Sequence, residues 1–187
     1  MTRTALIGAS LLLAMAATGP ARADDVTDTL RSAIEAYEAG DRQFALEEIE
    51  FARQLMLEQK TDSLGGFLPP APEGWTMTLD SDMAAGLAMM GGGVGAGADY
   101  AAPDGTTVTI TLMADNPMVA GMAAMVSNAA AMGLRSERIG RQRFAMQDGQ
   151  LLALIGNRIL VQAEGDTDAA RSLLETMDFD ALAGFGG

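Results

Sequence analysis

The side chains that carry most enzyme chemistry are scarce in this sequence. It has no histidine and no cysteine, which removes an imidazole base, a thiol nucleophile, a His-centred triad and an ordinary zinc site. Lys60 is the one lysine, and it falls at the polar end of a helical stretch, where a solvated charge is expected. A carboxylate pair of the glycosidase kind remains. Acids are plentiful, but Asp115, Asp148 and Asp166 sit at turns, where capping of backbone groups accounts for them. One tryptophan and two tyrosines are few to line a sugar cleft. No catalytic residue is assigned, and the chain is expected not to be an enzyme.

Three other groups of residues could hold something. Met118, Met122 and Met125 fall on one face of a helical stretch, and thioethers are soft ligands suited to Cu(I). The same spacing marks any buried stripe, and methionine fills gaps in cores, so no metal and no cofactor is assigned. Arg135, Arg138, Arg141 and Arg143 crowd into nine residues. Read as one strand, Arg141 and Arg143 share a face opposite Phe144 and Met146, where a guanidinium pair could grip a carboxylate or a partner's acidic patch. Ion pairs within this acidic chain are the competing use. Third is Met89–Tyr100, MMGGGVGAGADY. A phosphate loop needs Lys-Ser/Thr after its glycines, and a dinucleotide fingerprint needs a helix next; this stretch offers neither. As a strand it turns Gly93, Gly95 and Gly97 to one side and Val94, Ala96, Ala98 and Tyr100 to the other. The glycine side is nearly bare backbone, open to close approach by another element or a ligand. The small-residue helix predicted over Pro117–Met132 is the expected neighbour.

The elements that must position these groups follow from hydrophobic spacing. Val26, Leu30, Ala33, Ile34 and Tyr37 recur at helical intervals, and after the break at Gly40-Asp41 so do Ala45, Ile49, Ala52 and Met56. Phe44, Phe51 and Leu55 form a second apolar stripe. An antiparallel helical hairpin is predicted over 24–63. Within it AIEAYEAGDRQFALEEIEFA, Ala33–Ala52, resembles the middle of a tetratricopeptide repeat through Tyr37, the Gly40-Asp41 turn, Ala45, Ile49 and Ala52. It departs from that pattern at Ile34 and in lacking a closing proline. True arrays stack several copies, and only one is present, so a lone hairpin must cover its second stripe with the rest of the chain or with a second copy.

LGGFLPPAPEG, 64–74, has the composition of an extended linker. Beyond it, Thr107–Asp115 alternates as a half-buried strand, Ala102-Pro-Asp-Gly105 is a turn, and Asp148-Gly149 and Gly156-Asn157 are hairpin turns. The prediction for 75–187 is an α+β domain of order βββα-βββα: an antiparallel sheet of about six strands with two helices on one face.

Residues 1–23 have the layout of a secretory signal peptide: Arg3, the apolar run Ala5–Ala17, then Ala21-Arg22-Ala23 before the expected cleavage. The run is short for a membrane anchor. Without cysteine no lipoprotein anchor and no disulfide can form, and the periplasm is the expected address. Removing Arg3 and Arg22 leaves 10 basic residues against 25 acidic ones, a net charge of −15. That field disfavours nucleic acid and anionic lipid, and no integral membrane segment is expected after cleavage. Together these point to a non-catalytic interaction or accessory protein of the envelope, binding a protein partner or itself. The alternative is a carrier for a small apolar ligand or lipid, in a cavity lined by Met118, Met122 and Val108. The expected contact residues are Phe44, Phe51, Leu55, Gly93, Gly95, Gly97, Met118, Met122, Arg141 and Arg143.

Overall fold

The computed structural model describes residues 21–89, 92–129 and 131–186. Of the expected signal peptide only 21–23 are among them. The chain divides into two units, Met1–Ala52 and Arg53–Gly187, each described by itself.

The described part of the first unit is helical: α1 (Ala21–Glu38) and the beginning of α2 (Arg42–Gly65). The turn between them forms as the sequence predicts. Gly40 takes a positive φ, and the Gly40 and Asp41 amides donate back to the Tyr37 and Ala36 carbonyls, which caps α1. The Asp41 carboxylate accepts from the Phe44 amide at 3.1 Å, capping α2. Where the helices meet, the buried residues are small: Thr29, Ala33 and Ala36 from α1, Ala45 and Ala52 from α2.

The second unit is α+β. Its strands are β1 (Thr76–Leu79), β2 (Val94–Ala101), β3 (Thr107–Ala114), β4 (Arg135–Ile139), β5 (Gln142–Gln147), β6 (Gln150–Ile155) and β7 (Ile159–Gly165). They form one antiparallel sheet in the order β1-β2-β3-β7-β6-β5-β4. Two meanders are thus joined through β3 and β7. The seventh strand arises where one long strand is expected after Arg138. Gly140 adopts a positive φ and, with Arg141, makes a two-residue hairpin turn between β4 and β5. The remaining helices are α3 (Met83–Met89), α4 (Pro117–Ser127), α5 (Thr167–Leu174) and α6 (Phe179–Ala183).

Helices cover both faces of the sheet, not one. Val108, Ile110, Leu112, Phe144, Leu151 and Val161 pack on one side with Leu64 of α2, Leu173 of α5 and Leu182 of α6. On the other side Met113, Leu152 and Leu160 meet Leu87 of α3 and Val119, Met122 and Met125 of α4. The cause is visible in β6 and β7, whose QLLALI and ILV runs are apolar at consecutive positions; such strands must be buried on both sides. The segment expected as a linker also belongs to this unit. Leu64 and Leu68 lie in its core, and the Pro69 carbonyl accepts a 2.6 Å hydrogen bond from the Tyr100 hydroxyl.

Candidate functional site

A large apolar concavity lies on the helical hairpin. Because alanines fill the contact between α1 and α2, the larger side chains beside them are left outside. Leu30, Ile34 and Tyr37 of α1 and Leu46 and Ile49 of α2 are between 39% and 66% exposed. They wall a groove of about 710 Å³ whose floor is Ala33 and Ala45, with Glu38 and Arg42 at one end. Apolar patches of this kind, rimmed by polar residues, often mark contact sites.

Sequence reasoning places Leu30, Ile34, Tyr37 and Ile49 on the stripes that close the hairpin, whereas they flank its alanine seam. The signal that could have shown this is size: the stripe mixes alanines with large residues, and only the alanines permit close helix approach. The expected second stripe is exposed in part. Phe44 is 44% and Phe51 51% exposed in the first unit, while Leu55, in the second, is half-buried.

The bare backbone of the glycine strand is approached by a helix of its own unit, and that helix is α3 rather than the expected α4. A methyl group on Gly95 would collide with the Leu87 side chain and lie 3.0 Å from the Met83 sulfur, and one on Gly97 would lie 2.6 Å from the Met83 methyl. Gly93 has a positive φ, and a methyl group there would lie 2.9 Å from the Ala114 carbonyl oxygen and from the Asn116 Cβ. The Asn116 side chain both donates to the Gly92 carbonyl and accepts from the Met118 amide, starting α4. α4 packs instead against β6 and β7 and stops at Ser127, short of the expected Met132. The long Ala-Gly-Met run of 83–98 hides a helix, because α3 is seven residues and too short for a period to register.

Methionines and the expected cavity are separated by the same geometry. Met122 and Met125 lie against the α4-side core, while Met118 is 42% exposed. Val108 belongs to the opposite core, so Val108 and Met122 do not line one cavity. Among the described residues no group of three or more acidic side chains could hold a metal ion.

The arginines are also rearranged. Arg141 leaves the strand for the turn and reaches Asp180 at 3.6 Å, both groups largely in solvent. Arg143 faces Arg138 directly across β4 and β5, two like charges on one surface. Arg143 also lines a cleft of about 200 Å³ with Ser136, Gln142 and Asn157. Lys60, expected to be free in solvent, is held by Asp115 at 2.7 Å, with Arg158 on the other carboxylate oxygen at 3.6 Å.

Among the described residues no helix is long and apolar enough to cross a membrane. Comparison with protein-family models, with curated proteins and with solved structures gave no significant match.

Proposed function

We infer that this chain is a non-catalytic interaction or accessory protein of the cell envelope, acting in the periplasm and holding a protein partner on its helical hairpin. The observation that carries this is the groove walled by Leu30, Ile34, Tyr37, Leu46 and Ile49. Each of these side chains is about half covered already, so a partner that covers the rest contributes roughly 1 kcal/mol at each. Less the cost of association, that supports a reversible complex rather than a permanent one. The missing imidazole and thiol favour a binding role over catalysis.

The test is a photo-reactive residue placed at Leu46 in the groove and, as a control, at exposed Asp104, in the exporting cell. A protein adduct from the groove position alone, recovered with the periplasmic fraction, supports the function. An adduct to lipid instead would favour a carrier of apolar molecules. Equal labelling at both positions, or fractionation with the cytoplasm, would overturn the proposal.

A further inference from the structure

Resting on that function, we propose that the groove receives a basic amphipathic helix of the partner. The backbone argument comes first. Away from the turn that closes one end, both walls are α-helices whose amides and carbonyls are satisfied internally, so the length of the groove offers few main-chain partners to an extended peptide. A strand laid there would lose water from its own peptide groups without replacement. A helix brings its backbone bonds with it and needs only side-chain contact.

The dimensions agree. Leu30, Ile34 and Tyr37 stand at i, i+4 and i+7, a row roughly 10 Å long at the helical rise. Leu46 and Ile49 form the facing row. The floor is alanine, 3–4% exposed, so a third helix can settle between the two rows as ridges settle into grooves.

Charge selects among helices. Between Asp24 and Ala52 the sequence holds nine acidic residues against Arg31 and Arg42, a net charge of −7. Arg31 is already tied to Asp28 at 2.6 Å. A second copy would bring the same −7 to the contact, and an acidic helix would meet the same repulsion. Lysines or arginines flanking the apolar anchors are attracted instead, and the exposed Tyr37 ring gives one of them a face to lie on.

The experiment uses defined probes. A 14-residue amphipathic Leu/Lys peptide and its Leu/Glu counterpart are titrated into the mature protein by calorimetry, at low salt and in 0.5 M salt. Binding is expected for the Leu/Lys peptide only, weakened at least tenfold by salt. The double variant Ile34→Ser/Leu46→Ser, which leaves charge unchanged, should weaken it at least tenfold again. Both positions are more than half exposed, and circular dichroism checks that the variant keeps its helices. A Tyr37→Ser variant repeats the measurement should the first lose helix.

Binding that ignores the groove variants would be general attraction to an acidic surface and would overturn the proposal. So would equal binding of the Leu/Glu peptide, or a dimer in light scattering that the groove variants dissolve. A protein adduct at Leu46 through an acidic or extended segment would overturn this inference while leaving the docking function standing.

Discussion

Tyr100 shows how one residue ties a loop to the sheet. Its ring is 1% exposed and its hydroxyl is held by the Pro69 carbonyl, and burial pushes its pKa up to about 12. The neutral phenol is favoured in the folded state, so the folded protein retains this proton where the unfolded chain has lost it. Stability should therefore be unaffected below pH 10 and fall by up to about 1.4 kcal/mol per pH unit between 10 and 12. Urea melts followed by Trp75 fluorescence read this directly, and Tyr100→Phe should flatten that part of the profile. A Tyr37→Phe background leaves Tyr100 as the one tyrosine whose ionisation absorbs. The Arg138–Arg143 pair makes a prediction of the opposite sign. Neither has an ion-pair partner among the described residues, and they oppose one another across the strands. Arg143→Thr should stabilise the unit by roughly 0.2–1 kcal/mol at low salt, with the gain shrinking in 0.5 M salt.

At the scale of elements, glycine has two different jobs, and substitution should separate them. A methyl on Gly95 first meets the side chains of Leu87 and Met83, which can shift where a backbone cannot, so Gly95→Ala should cost about 1–3 kcal/mol. Gly165 combines a φ of +113° with direct approach to the Thr107 carbonyl, and neither backbone can yield. Gly165→Ala should cost clearly more than Gly95→Ala in the same urea melts, roughly 3 kcal/mol or above; equal costs would show that the β3–β7 seam tolerates a side chain. How far these elements are legible in the sequence depends on what sets them. The Gly40-Asp41 cap, the alternation of Thr107–Asp115 and the Asp148-Gly149 and Gly156-Asn157 turns are local, and local spacing predicts them. The Gly140-Arg141 turn is missed because arginine gives no turn signal and the flanking run looks continuous. The cover on both faces was available in the unbroken apolar run of β6 but needs a decision about which side each residue faces. The groove is the hardest case. A stripe of alternating alanine and large residues has one period, and only packing shows that the alanines meet and the large residues do not.

At the scale of the molecule, the two units should differ in how firmly their backbones are held. The described hairpin of the first unit buries mainly alanine and one threonine, whereas β3, β6 and β7 are sealed between two cores. Amides between residues 26 and 52 should exchange with solvent orders of magnitude faster than those of Leu112 and Val161 in native-state hydrogen exchange. Saturating the Leu/Lys peptide should slow the first group alone. The sheet order has its own consequence. β3 is a central strand, yet its second partner is β7, the last strand of the chain, with Val108 beside Gly165 and Ala114 beside Ile159. Every other pairing joins neighbours in sequence and can form early. The two meanders can therefore gather quickly, but their union waits for a long loop to close. Folding speed should be governed by that single seam, and a chain still emerging before Ile159 keeps the inner edges of both halves open until its final strand arrives.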